Sequence, residues 1–479
     1  MSQQHLLKFV SREQESPAKR SGEERRRDFG EINATYPSDQ ANSQAGRCAQ
    51  CGVPYCQIHC PVSNNIPDWL LMVANNRMEE AYRLSTATNT FPEICGRVCP
   101  QDRLCEGNCV IEQSGHGHVT IGSVEKYITE HAFANGWVKP IVPAQELSKK
   151  IAIIGAGPAG LSAAIGLRQR GYQIHIFDRY DRAGGLMIYG IPNFKLEKSV
   201  LLRRQQWLEQ SGIHFHYGHD VGHDFAAIQK NHAAVIIATG VYKNRDLDIT
   251  GRQLGGVVPA LPFLIRENKI DLGDNDPAPH LSAKGKKVVV IGGGDTGMDC
   301  VRTAIRQGAE KVFCLYRRDR NNMPGSRREV KNAEEEGVAF MWLTAPTQFN
   351  GQTNLQSIDT IEMKLGEKGL GGRRDAVPVA GSAKNITADM AILALGFEAE
   401  DSRQLFQLPQ LPLTRWGTIH CNQHGQVIDE HGTITMPFLY AGGDIVRGAS
   451  LVVHAIADGM KLAEKIDQDL KQASNQKAA

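Results

Sequence analysis

The chain has 479 residues, 41% of them hydrophobic and 22% charged, with a formal net charge of +2. That length supports two or three domains with their own cores, and the near-neutral balance leaves no electrostatic footprint for nucleic acid. The longest apolar runs, such as "KVVVIGGG", fall far short of the roughly 20 residues a membrane span needs. The opening "MSQQHLLKFVSREQES" has no apolar stretch behind a basic start, so a cytoplasmic protein without membrane or nucleic-acid partners is expected.

In chain order, "KRSGEERRRD" (Lys19 to Asp28) mixes charge signs and is expected to be a solvated arm. "RCAQCGVPYCQIHCPVSNNIP" follows, with four cysteines inside thirteen residues. Eight of the 11 cysteines lie between Cys48 and Cys109, whereas Cys300, Cys314 and Cys421 stand singly. Cys314, inside the apolar "KVFCLYRR", reads as a small buried hydrophobe. Between the cysteine runs, "IPDWLLMVANNRMEEAYRLS" reads as helical.

The cysteine spacing is Cys48-x2-Cys51-x4-Cys56-x3-Cys60-Pro61, then Cys95-x3-Cys99-Pro100 and Cys105-x3-Cys109. Disulfides are disfavoured by the expected compartment. A structural zinc site normally shows paired C-x2-C knuckles, and there is one here. Compact runs ending in Cys-Pro resemble bacterial ferredoxins, in which the last cysteine of a run ligates the other cluster. Eight thiolates suffice for two [4Fe-4S] clusters.

After the linker "NGWVKPIVPAQELSKK", the segment "KKIAIIGAGPAGLSAAIGLRQRGYQIHIFDR" reads as strand, glycine turn, helix, strand. Gly155, Gly157 and Gly160 give G-x-G-x-x-G between strand and helix. The first glycine permits the tight turn, the second lets backbone approach a pyrophosphate at the helix N-terminus, and the third lets helix and strand pack closely. Asp178 ends the next strand, where an acid accepts hydrogen bonds from an adenosine ribose. Past "LGDNDPAPHLSAKGKK" the same grammar recurs with Gly292, Gly294 and Gly297, but its second strand ends in "LYRRDR". Arg317 and Arg318 stand at the acid's position, and a guanidinium there suits a 2′-phosphate, which favours NADPH over NADH.

"AAVIIATG" (Ala233 to Gly240) and "MPFLYAGGDIVRGASLVVHAIADGMKLAEKI" (Met436 to Ile466) resemble later motifs of two-dinucleotide flavoproteins related to glutathione and thioredoxin reductases. That resemblance assigns FAD to the first unit, with Gly443 and Asp444 beside its ribityl and pyrophosphate. It also aims a helix beginning near Leu451 at the flavin ring, where a helix N-terminus favours the negative charge of reduction.

The cysteine framework with "EICGRVCPQDRLCEGNC", then "GAGPAG", "RAGGLMIYGIPNFKL", "GGGDTGMDC", "MPGSRREVKNAEEEGV" and "AGGDIVRG", resembles the small (beta) subunits of bacterial NADPH-dependent glutamate synthase over nearly the whole chain. The resemblance implies an α/β fold with two Rossmann-like domains in a glutathione-reductase-like arrangement and an N-terminal, mainly α-helical iron–sulfur domain. The expected segments are 1–145 for the iron–sulfur domain, 146–284 and 391–479 for the FAD domain, and 285–390 for an inserted NADPH domain. It implies a cofactor role for Gly185 as well. One cluster would use Cys48, Cys51, Cys56 and Cys109, and the other Cys60, Cys99 and Cys105. Its fourth ligand is Cys95 or Glu125, the latter standing in "IGSVEKY" where relatives place a glutamine or glutamate.

The implied function is electron input from NADPH through FAD and two [4Fe-4S] clusters to a large (alpha) subunit that makes glutamate from glutamine and 2-oxoglutarate. Met1 is followed by Ser2 instead of an amidotransferase's N-terminal cysteine, so glutamine chemistry is expected on that partner. The alternatives are a flavin-based NADPH:ferredoxin-type oxidoreductase and, in a different class, a zinc-stabilised interaction module.

Overall fold

The computed structural model describes residues 7–369 and 374–478. The expected segments 1–145 and 391–479 therefore begin and end on residues outside that description. Two apolar strands, Lys150–Ile154 and Lys287–Ile291, stand at the centres of two parallel sheets of five strands each. Both are near-continuous runs of Ile, Val and Ala, as expected where helices cover both faces.

The first sheet runs Leu439–Ala441, Ala234–Ile237, Lys150–Ile154, Gln173–Phe177, Ile213–His216, with every pairing parallel. The second runs Val257–Pro259, Met390–Leu393, Lys287–Ile291, Lys311–Tyr316, Ala339–Trp342, again all parallel. The first sheet is completed by a strand from near the C-terminus, after the second sheet has been built, so the second unit is inserted in the first.

The second sheet reaches past the expected 285–390 segment on both sides. Val257–Pro259 pairs with Met390–Leu393, and Phe263 and Leu264 of the following helix are buried in that unit's core. A strand of three residues carries no usable periodicity, and the stretch "LGDNDPAPHLSAKGKK" that precedes the second glycine turn lies within the unit, with Leu281 and Ala283 buried in its core. A smaller antiparallel sheet, Thr344–Gly351, Leu355–Lys368, Arg374–Pro378 and Lys384–Thr387, extends from the second unit and was not anticipated.

The N-terminal region is helical, with Ile66–Ala74, Met78–Ala87 and Ile121–Ala134 packed in one cluster with the fully buried Trp69, and Pro92–Val98 lying against Ile121–Ala134. "IPDWLLMVANNRMEEAYRLS" is two helices, broken at Asn76 with φ +59°. Phe91, Ile94, Cys95 and Cys99 belong to the same hydrophobic cluster as the first sheet, so the cysteine domain and first nucleotide unit share one core.

The stretch from Lys19 to Asp28 departs from the expected solvated arm. Arg25 is buried and pairs with Glu335 at 2.6 Å and Glu336 at 3.1 Å, while Lys19 reaches Glu335 at 2.6 Å. Lys19 and Arg25 thus reach the second unit, while Arg20 pairs with Asp28 and the exposed Arg27 with Glu23 inside the stretch. The units are tied further by Phe194, which lies under the guanidinium groups of Arg302 and Arg306 at 4.4 and 4.0 Å. No helix among the described residues is long and apolar enough to cross a membrane.

Candidate functional site

The two glycine turns have the same geometry. Gly155 has φ +107°, and a Cβ there would stand 2.5 Å from the Ala238 carbonyl oxygen. A Cβ on Gly160 would stand 2.1 Å from the Gly155 oxygen. At the second turn, Gly292 has φ +135° and 2.1 Å to the Ala394 oxygen, and Gly297 has 2.6 Å to the Gly292 oxygen. The middle glycines differ in kind, since Gly157 and Gly294 have nothing within 4 Å of an added Cβ. The outer glycines are required by the protein's own backbone; the middle ones face open space at a helix N-terminus, as close approach of a phosphate requires.

Asp178 follows the strand Gln173–Phe177, its two carboxylate oxygens accepting the Ala156 and Tyr180 N–H groups at 2.7 and 2.8 Å. Burial raises its pKa, and those two N–H groups oppose the rise. Gly185, at φ +54°, abuts Gly157: an added Cβ would stand 2.9 Å from the Gly157 Cα. A Cβ on Gly443 would press on Ala159 at 2.8 Å. Asp444 is the informative neighbour. Its Oδ1 is buried without a hydrogen-bond partner, and burial pushes its carboxyl up to about 6. An orphaned acceptor of that kind asks for a donor from a ligand, and a ribityl or ribose hydroxyl is one.

Gly155, Gly157, Asp178, Gly185, Gly443 and Asp444 line one cavity of about 550 Å³, which Gly160, Gly292 and Gly297 do not reach. Gly294 of the second turn, the start of the helix Val452–Ala478, and Val98 to Gln101 of the cysteine domain line it too. Arg317 and Arg318 are not on this wall. They follow the strand Lys311–Tyr316, with Arg317 exposed and Arg318 half-buried, its Nε donating to the Arg374 carbonyl at 2.5 Å.

The structure gathers the eight clustered cysteines in two groups. Cys60, Cys95, Cys99 and Cys105 line one small cavity with Glu125, beside Trp69 and Leu104. Cys48, Cys51 and Cys56 lie around Cys109, whose proximity adds to the effect of burial in raising each of them. Burial lifts Cys48, Cys56 and Cys60 to about 12, and Cys105 well above the usual thiol value. Four cysteines around one small cavity and three around Cys109 fit an iron–sulfur donor set, whose thiols give up their protons to the metal.

Among the described residues, no three His, Cys, Asp or Glu side chains converge tightly enough for a single ion. Glu125 is buried, its Oε1 accepting from the Asn64 and Asn89 side-chain amides at 2.9 and 3.2 Å, and burial pushes its carboxyl up to about 8. Cys95 is held by the same Asn89, its thiol donating to Oδ1 at 3.8 Å. Both remaining candidates thus face one cavity. Cys300 and Cys314 are fully buried in the core of the second unit.

Sequence reasoning did not find Asn64 and Asn89, nor the wall formed by Glu31 to Ala34, Gln101, Arg103 and Lys126. Each acts through a contact distant in the chain, and no local pattern marks it.

Comparison with known proteins agrees with this layout. Residues 25–137 match the family model described as dihydropyrimidine dehydrogenase domain II, 4Fe-4S cluster, and residues 149–459 match pyridine nucleotide-disulphide oxidoreductase. The glutamate synthase [NADPH] small chain of Azospirillum brasilense is 55% identical over 472 residues, covering 97% of this chain and 96% of its own. The chain belongs to the glutamate synthase small-chain family.

The family member from Escherichia coli is 43% identical, with 97% of this chain and 98% of that one covered. Among solved structures, Mycobacterium tuberculosis FprA in complex with NADPH shares the fold, with TM-score 0.56 at 19% identity, over 68% of this chain and 86% of its own. As a member of the family, the chain is an oxidoreductase that joins a 4Fe-4S domain to a pyridine-nucleotide domain.

Proposed function

We propose that this chain is the electron-input subunit of a glutamate synthase, taking electrons from NADPH and delivering them to a large subunit that converts glutamine and 2-oxoglutarate to glutamate. The observation that carries the reading is the shared cavity, in which both glycine turns and the loop bearing Cys99 form one wall. FAD bound there accepts an electron pair and releases electrons singly, and each [4Fe-4S] cluster carries one.

The chain's own residues divide the work. Gly155, Gly157, Gly160 and Gly185 shape the FAD pyrophosphate site, Asp178 receives the adenosine ribose, and Gly443 with the unpartnered oxygen of Asp444 receives the ribityl end. The N-terminus of Val452–Ala478 faces that site and favours negative charge on the ring. Gly292, Gly294 and Gly297 hold the NADPH pyrophosphate, and Arg317 and Arg318 read its 2′-phosphate. Cys48, Cys51, Cys56 and Cys109 bind one cluster. Cys60, Cys99 and Cys105 bind the other with Glu125, whose Oε2 carries neither asparagine amide.

Two measurements test this reading. The purified chain should reduce ferricyanide with NADPH yet form no glutamate until the large subunit is added; glutamate made by the chain alone would place the synthase here and overturn the division. Cys95→Ala should retain the iron and sulfide of both clusters, whereas Glu125→Ala should alter the EPR of one. A cluster lost only on removing Cys95 would transfer the ligand role to that thiol.

A further inference from the structure

Between Cys99 and Cys105 the chain turns through Gln101–Arg103, a single turn of 3-10 helix, and there the cysteine domain meets the second nucleotide unit. Arg103 donates from Nη1 to the Pro324 carbonyl at 2.8 Å and from Nη2 to the Asp295 carboxylate at 3.3 Å. Asp295 opens the 12-residue helix Asp295–Arg306, directly after the open Gly294. Its other carboxylate oxygen accepts the Ser326 N–H at 2.9 Å. Arg103, Asp295 and Ser326 all line the shared cavity.

This arrangement poses an electrostatic problem for any dinucleotide bound at that turn. A pyrophosphate arriving at the helix N-terminus meets the Asp295 carboxylate, and the helix end offers only about half an elementary charge against it. A nearby cation must make up the difference. Lys195 is committed to Asp299 at 2.8 Å, and Arg328 donates to the Gln101 side chain at 3.0 Å. Arg103 is the cation that already faces the Asp295 carboxylate, at 3.3 Å, with its side chain 44% exposed.

We infer that Arg103 is a nucleotide-binding residue, the iron–sulfur domain supplying the guanidinium that pairs with the NADPH pyrophosphate in exchange for its contact to Asp295. This rests on the proposal that NADPH binds at the turn Gly292 to Gly297. It adds that the second unit's nucleotide site is incomplete without the cysteine domain. The pyrophosphate is common to both nicotinamide dinucleotides, so Arg103 sets affinity without setting the choice between them, in contrast to Arg317 and Arg318.

The test is calorimetric titration of the holoenzyme with NADP+ and with NAD+. Arg103→Ala should raise the Kd of both by a similar factor, about tenfold or more, as expected for a lost charge-assisted bond. Arg103→Lys should recover part of that loss as a point charge without the fork geometry. Asp295→Asn, which can still accept the Ser326 N–H, should bind both nucleotides at least as tightly as the parent. If Arg103 only fastens the two units through Asp295, Asp295→Asn will instead weaken binding as Arg103→Ala does. That result, an unchanged Kd in Arg103→Ala, or a shift in the NADP+ to NAD+ ratio would each overturn the assignment. Gly294→Val checks the site beneath it. Undiminished NADP+ binding there would remove the nucleotide from this turn, whereas loss in Gly294→Val with normal binding in Arg103→Ala would refute only the role of Arg103.

Discussion

The two nucleotide units repeat one backbone with different ends. Each sheet has a central apolar strand, a glycine turn whose outer members touch backbone, and a middle glycine facing open space. They diverge one strand later. The first unit ends that strand in Asp178, a buried carboxylate held by two backbone N–H groups; the second ends it in Arg317 and Arg318, exposed and half-buried. On the proposed cofactor assignment, the repeated part answers to geometry that any dinucleotide shares, and the divergent part to what distinguishes one from another. Fold and cofactor choice are therefore separable, and substitutions should separate them.

The largest effect is expected from the contrast between middle and outer glycines. Gly157→Val adds atoms where the protein has none within 4 Å, so the chain should fold and melt as the flavin-free parent does but purify without flavin. Gly160→Val places a side chain 2.1 Å from the Gly155 oxygen and should destabilise the fold itself. Equal thermal stability in the two variants, or a flavin retained by Gly157→Val, would break the distinction.

A smaller effect is expected at Asp444, which has no counterpart in the second unit's turn. Its folded pKa of about 6 lies above the ordinary 3.8. The folded state therefore holds the proton more tightly, and its stabilisation is complete below about pH 4 and lost as pH rises through 6. The flavin-free protein should lose about 3 kcal/mol relative to Asp444→Asn between pH 3.5 and 7, taking about 1.4 kcal/mol per pH unit. Denaturant titrations of both proteins across that range provide the check. Parallel curves would show that the carboxyl titrates normally.

The smallest effect sharpens the comparison at its point of divergence. Replacing Arg317 and Arg318 by neutral residues should lower the NADPH to NADH ratio of kcat/KM at least about tenfold, from loss of a charge-assisted bond. An unchanged ratio would remove both arginines from 2′-phosphate recognition. Flavin content should not change.

What was legible in the chain follows the same division. Both glycine turns were readable because strand, turn and helix are contiguous, and each outer glycine is required by backbone within its own unit. The iron–sulfur character of the eight cysteines was readable from spacing, but their grouping, Cys109 with Cys48, Cys51 and Cys56 and Cys60 with Cys99 and Cys105, came through family resemblance. Val257–Pro259 was missed because its partner strand lies more than a hundred residues on and three residues carry no period. Arg25 was misread as solvated because its partners, Glu335 and Glu336, are far along the chain. Arg103 and Asn89 escaped for the same reason: their meaning lies in contacts across domains or between helices, which local composition does not encode.

The central claim is that electrons leave the nucleotide cleft through the cysteine domain. Cys105→Ser tests it most directly, because Cys105 lies in the inner cavity with Cys60 and Cys99. The variant, with its flavin retained and one cluster lost by iron and sulfide analysis, is assayed for ferricyanide reduction alone and for glutamate formation with the large subunit. The account predicts that dye reduction largely persists while glutamate formation falls to background; full glutamate formation by an enzyme lacking that cluster would contradict it.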